Sequence, residues 1–103
     1  MLFAFILIDK PGAVDLRQQV RPEHKTYLAA VADRIAVAGP FTHDDGSTMQ
    51  GSLLVIDFAS RDAAHAWLAD EPFMKVGLYS SITVHAFANL WPQKAGFPPE
   101  AQA

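Results

Sequence analysis

The chain reads as six elements in the order β-α-β-β-α-β, its first and third strands are apolar almost without interruption, and 103 residues allow one core. Together these predict an α+β domain: a four-stranded antiparallel sheet with both helices on one face, the ferredoxin-like sandwich. Half the residues are hydrophobic and 11% aromatic, which argues against disorder. A chain of this size buries roughly 65% of its unfolded surface, enough for a packed core.

Strand one is Leu2 to Ile8, ended by the turn Asp9-Lys10-Pro11-Gly12. Seven apolar residues with no basic lead and no small-residue cleavage site do not make a secretory signal. They also fall far short of the ~20 that a membrane-spanning helix needs, so a soluble, cytoplasmic protein is expected. Helix one is expected to begin near Pro22, where the fixed φ suits a first turn, and to run to about Ala36 with Leu28, Val31 and Ile35 on one stripe. A short strand then covers Val37 to Thr42, and His43-Asp44-Asp45-Gly46 turns the chain. Strand three is Ser52 to Phe58. Helix two opens at Ser60, an N-cap with Asp62 in its first turn, and carries Ala64, Trp67 and Leu68 inward. Pro72 restarts a short helical segment that ends near Gly77, and strand four is Ser81 to about Trp91. One domain over 1–91 is expected, followed by a tail over 92–103, flexible or wrapping a partner.

Eight Lys and Arg stand against eleven Asp and Glu, for a formal net charge of −3 with no block of either sign. Nucleic-acid binding needs a dense cationic face and is not expected. With no cysteine, disulfides, thiolate metal sites and cysteine nucleophiles are excluded. No H-E-x-x-H, P-loop or G-x-G-x-x-G is present, and neither a metal nor a cofactor is expected.

In the ferredoxin-like order four-one-three-two, strands one and three are central. A sheet face open to water should alternate polar and apolar residues, and these two strands do not. The second face is expected to be covered by another copy of the chain, sheet against sheet, as a homodimer.

At 100° per residue, Leu28, Val31 and Ile35 lie within about 40° of His24, which puts His24 on the core-facing stripe. At a helix's first turn the positive field favours a neutral imidazole, a proton acceptor at the edge of an apolar cavity. The same spacing fits a histidine that only satisfies backbone groups. Asp9 continues the register of Phe3, Phe5 and Leu7, from which its carboxylate could orient the imidazole, or it could cap its own turn. Asp33, about 180° round the helix, is expected to face solvent. Arg17 and Arg21 stand four apart and share a face if helical, able to hold a carboxylate-bearing ligand or to pair with Asp15 or Glu23. Ser52 is a candidate ligand donor, and without a G-x-S-x-G elbow a poor candidate nucleophile. His43 with Asp44 and Asp45 reads as a turn rather than a metal pocket, and His65 and His85 as packing or surface residues.

Several short stretches in order, Asp9-Lys10, Leu16-Arg17, Arg21-Pro22-Glu23-His24, Tyr27-Leu28, Ala38-Gly39-Pro40, Gly51-Ser52, Glu71-Pro72-Phe73 and Gly77-Leu78-Tyr79, give the chain from Met1 to about Trp91 a pattern that resembles the YciI-like (YCII-related) family. The resemblance implies a ferredoxin-like domain paired as a dimeric α/β barrel, with a site in a cleft and a His–Asp acid–base pair. Carried over, the histidine is His24, the best-placed aspartate is Asp9, and Ser52 matches the family's Gly-Ser. Where the family has Asp-Pro this chain has Glu71-Pro72, preceded by Asp70, so a carboxylate at that position reaches one methylene further.

The leading reading is a small cofactor-independent enzyme of isomerase or lyase type. It would act on a compact, cyclic or aromatic, anionic molecule, with His24 and Asp9 moving the proton and Arg17, Arg21, Ser52 and Glu71 binding substrate. A ligand-binding or sensor module using the same cleft, and an accessory interaction subunit, are the alternatives.

Overall fold

In the computed structural model, which describes residues 1–91, the chain runs β1 (Leu2–Asp9), α1 (Val14–Ala29), a 3-10 turn (Ala32–Arg34), β2 (Ile35–Thr42), β3 (Met49–Asp57), α2 (Arg61–Ala69), α3 (Pro72–Lys75) and β4 (Tyr79–Phe87). The strands form one antiparallel sheet in the order β2-β3-β1-β4, so the two apolar strands are the central pair, as expected of a ferredoxin-like α+β domain. The tail expected over 92–103 lies outside the described residues.

Alternation along β1 sends Phe3, Phe5, Leu7 and Asp9 to the helix-covered face, where all four are buried. Leu54 and Ile56 of β3, Phe58, Ala64 and Leu68 around α2, and Phe73 and Leu78 around α3 complete the core. Trp67 of α2 closes one end against Phe5, Phe58 and Tyr27, and the Tyr27 hydroxyl donates to the Trp67 carbonyl at 2.6 Å. Ser60 caps α2 as expected, its hydroxyl accepting from the Ala63 N–H.

The first helix differs from expectation at both ends. It starts at Val14, right after Gly12 turns the chain at φ +71°, and Pro22 sits inside it rather than at its first turn. An interior proline removes one helical hydrogen bond and costs about 3 kcal/mol in an isolated helix. Here Pro22 points outward, while Leu16, Arg17, Val20, His24 and Leu28 hold the helix to the sheet on either side of it. The helix stops at Ala29 and not Ala36: the 3-10 turn intervenes, and Ile35 pairs with Ile56 at the start of β2. The β-branched residues Ile35 and Val37 gain ladder partners on the edge of the sheet that a longer helix would deny them. Strand β4 begins two residues earlier than expected, at Tyr79, and ends at Phe87 rather than Trp91.

Two glycines shape the site. A Cβ on Gly51 would run into the Leu7 carbonyl oxygen, so only glycine lets β3 approach β1 this closely beside Ser52. Gly77, at φ +70°, ends α3 in a Schellman motif: its N–H reaches the Met74 carbonyl at 3.1 Å and the Leu78 N–H reaches the Phe73 carbonyl at 3.1 Å. That reversal sends the chain straight into β4 and fixes Tyr79 beside Glu71.

Candidate functional site

Asp9, Arg17, His24, Ser52 and Glu71 are buried polar residues of this domain, and two of them, Arg17 and His24, lie against one ring, that of Phe73. Sheet register explains the first group. Leu7 of β1 faces Ser52 of β3, and Asp9 lies two residues beyond Leu7 on the same face. Arg17, one turn into α1, comes down onto both. Its Nε donates to Asp9 Oδ2 at 2.6 Å, and its Nη2 donates to Asp9 Oδ1 and Ser52 Oγ, each at 3.0 Å. The guanidinium carbon lies 4.6 Å from the centre of the Phe73 ring. With 2% of its surface exposed, this cation is compensated by a fork-to-carboxylate pair.

The second group is built on the start of α3. Glu71 is its N-cap, followed by Pro72 at the first helical position, and the carboxylate accepts from the Phe73 N–H at 3.1 Å and the Met74 N–H at 3.2 Å. It also accepts from the Tyr79 hydroxyl at 3.0 Å, and its Oε1 lies 2.5 Å from His24 Nδ1. Glu71 is wholly buried and meets four hydrogen-bond partners. Burial, then the adjacent Glu71 charge, pushes the Tyr79 hydroxyl well above the ordinary phenol range, which keeps it a donor. With three other N–H and O–H groups already aimed at the carboxylate, the proton between Glu71 and His24 belongs on Nδ1. The imidazole lies against Phe73, centroids 4.1 Å apart and planes 18° from parallel, so its tilt is fixed as well. Its Nε2 has no partner among the described residues, where no buried side-chain nitrogen or oxygen goes without one; Nε2 therefore opens to solvent.

It opens onto a cleft of about 260 Å³ between α1 and the β2–β3 edge. Arg17, Arg21, His24, Lys25 and Ser52 supply its polar lining, and Leu28, Leu54 and the Ala38-Gly39-Pro40 stretch its apolar walls. No carboxylate among the described residues lines it. Arg21 and Lys25 have no ion pair among the described residues, so the mouth is electropositive.

The expected candidates thus converge on one site, with one exchange of partners. Asp9 does not hold the imidazole; its carboxylate is taken by Arg17, while Glu71 holds His24. His24 also sits well inside α1, so no helix N-terminus acts on it directly. The N-terminal N–H groups present are those of α3, and they act on Glu71. Arg17 and Arg21 do share the cleft-facing side of α1. Asp70 is exposed at the end of α2, and Asp33, His65 and His85 are exposed too. At the β2–β3 turn, Asp45 accepts from the Thr48 hydroxyl and from the Thr48 and Ser47 N–H groups, which lowers its carboxyl to about 2: the carboxylate serves the turn. The sequence reading missed Tyr79 and Lys25. Tyr79 was signalled only by its place just past the Gly77 reversal, and Lys25 by its place one residue after His24.

Fold and site define a ferredoxin-like α+β domain that concentrates its buried polar groups under a single cleft. The chain belongs to the YCII-related domain family, whose model matches residues 1–88. It is 31% identical over 98 residues to protein YciI of Escherichia coli O6:H1, covering 88% of this chain and 100% of that protein. An uncharacterized protein of Haemophilus influenzae is 26% identical over 98 residues, with the same coverage. Among solved structures, 5-chloro-2-hydroxyhydroquinone dehydrochlorinase from Burkholderia phenoliruptrix AC1100, in complex with 2,5-dihydroxybenzoquinone, matches with a TM-score of 0.80 at 32% identity, over 85% of this chain and 94% of that one. No helix among the described residues is long and apolar enough to cross a membrane.

Proposed function

We propose that this protein is a cofactor-independent acid–base enzyme acting on a small anionic ring compound, by proton transfer of the isomerase or lyase kind. The observation that carries this reading is the His24–Glu71 pair: Nδ1 is held by a buried carboxylate at 2.5 Å while Nε2 opens on the cleft. Such an imidazole is a positioned base, and Glu71 stabilises the imidazolium formed when Nε2 takes a proton. In an elimination, the electron pair of the broken O–H or C–H bond enters the ring, and the leaving group departs with its own bonding pair. Arg21 and Lys25 at the mouth draw the anion in, and the apolar walls suit a flat ring. The dehydrochlorinase named above performs this class of chemistry on a chlorinated hydroxyhydroquinone, which supports the reading and supplies the first compound to try. Halide release from 5-chloro-2-hydroxyhydroquinone, followed for wild type and His24→Ala, tests it. A general base contributes roughly 10²–10⁴-fold, and a loss of that order with the fold intact is expected. Wild-type turnover in His24→Ala would end the mechanism.

The same reading takes the protein as a cytoplasmic homodimer, joined through the sheet face opposite α1 and α2. Leu2, Ala4 and Ile6 of β1, Leu53 and Val55 of β3 and Val37 of β2 lie together on that face, an apolar surface of the kind that marks an interface. Sedimentation should give roughly twice the 11.2 kDa chain mass, and Leu53→Lys should give the monomer. A monomeric wild type refutes the pairing.

A further inference from the structure

Ser52 is 2% exposed and lines the cleft, and its hydroxyl takes part in one hydrogen bond among the described residues, as acceptor from Arg17 Nη2 at 3.0 Å. A hydroxyl carries one proton to donate as well as lone pairs to accept. Because Arg17 occupies a lone pair, the Ser52 proton is left without an acceptor among the described residues, in the cleft that His24 also lines. Arg17 is likewise incompletely used: Nε and Nη2 are committed to Asp9 and Ser52, and Nη1 has no partner among the described residues. Asp9, Gly51 and the Phe73 ring fix both groups before any ligand arrives.

We infer that the Ser52 hydroxyl and the free edge of the Arg17 guanidinium form a two-donor receptor for an anionic ligand oxygen, a phenolate or enolate, on the sheet side of the cleft. The inference rests on the acid–base reading above and assigns the place of the charge that proton transfer to His24 leaves behind. Two preorganised donors, one bonded to a buried cation, favour an oxygen that carries charge over a neutral carbonyl. The polarity of the Arg17–Ser52 bond also fixes what Ser52 cannot be. A nucleophilic serine hands its proton to a neighbouring base, whereas no base lies within hydrogen-bond reach of Ser52 Oγ among the described residues, and an N–H donated to its oxygen lowers its nucleophilicity. The receptor explains the two cations of the mouth as well: Arg21 and Lys25 raise the local concentration of an anion, and Arg17 with Ser52 seats it.

The probe is 4-nitrophenol, whose absorption separates phenol from phenolate. Titrated against the full chain just below the pH at which it ionises in solution, it should bind wild type as the phenolate. Ser52→Ala should bind it roughly 10- to 100-fold more weakly and shift the bound spectrum towards the phenol, because a hydrogen bond to a charged oxygen is lost. Ser52→Thr, which keeps the hydroxyl on a strand that accepts β-branched residues, should restore both. Circular dichroism of each variant separates misfolding from loss of the donor. Equal affinity and an equal spectrum for wild type and Ser52→Ala overturn the receptor, and so does a wild type that binds no phenolate. Neither outcome touches the His24→Ala turnover comparison, which alone decides the acid–base reading.

Discussion

Glu71→Gln is expected to lose turnover by roughly 10²–10⁴-fold and to lower stability by about 1–3 kcal/mol, although it changes neither the length nor the shape of the side chain. The carboxylate meets four donors with two oxygens. An amide has one oxygen, and its NH2 group can accept nothing. If the NH2 takes the place of Oε2, the Met74 N–H is left buried without a partner, and the Tyr79 hydroxyl must turn round to accept. If it takes the place of Oε1, the Phe73 N–H is orphaned and His24 Nδ1 must become an acceptor, which moves the ring proton to Nε2 and removes the base from the cleft. Each arrangement leaves at least one buried donor unpaired, and the second reverses the tautomer. Nitrogen-15 shifts of the His24 ring report which one forms, and denaturant unfolding measures the loss of stability. A Glu71→Gln protein that keeps Nδ1–H and wild-type turnover would show that the imidazole needs no anion behind it.

How far this site was legible in the sequence depends on the residue. Strand order followed from the β-α-β-β-α-β sequence of elements, and the uninterrupted apolar runs fall on the two strands that this order makes central. His24 was legible as an inward-facing polar residue through its spacing to Leu28. Its partner was not. Asp9 has the right register and the right charge, but a cation on the first turn of α1 reaches it before the imidazole can, and Pro22, which suits a helix start, hides that turn in an apparent loop. Recognising Arg17 as helical and buried would have assigned Asp9 to it and left His24 in need of another anion. Glu71 could then have been found from Glu-Pro at the head of a short helix, a carboxylate followed by a residue that suits the first helical position. Glutamate is not among the favoured N-caps, though, and its burial depends on the fit of α3 against α1 and on Tyr79 arriving from beyond Gly77, a tertiary arrangement that no local pattern encodes.

Asp9→Ala should destabilise the domain by about 3–5 kcal/mol, since it strands a guanidinium that is 2% exposed and keeps, among the described residues, Ser52 and the Phe73 face as partners. For a domain of this size that is a fall of roughly 12 °C or more in Tm. Arg17→Met alone should also destabilise, because it leaves the buried Asp9 carboxylate unpaired. The two losses should not add. Asp9→Leu with Arg17→Met removes both charges and fills much of the same volume, and replacing a buried ion pair by apolar side chains is often neutral or stabilising. The double variant is therefore expected to regain most of the Tm while binding the 4-nitrophenol anion no better than Ser52→Ala, because Ser52 loses the N–H that orients it. Recovered stability without recovered binding would mean that the fold does not require the pair and the cleft does. If Asp9→Ala instead keeps the full Tm, Arg17 reaches water once its partner is gone, and a guanidinium that leaves so readily cannot be the rigid donor that a developing phenolate needs.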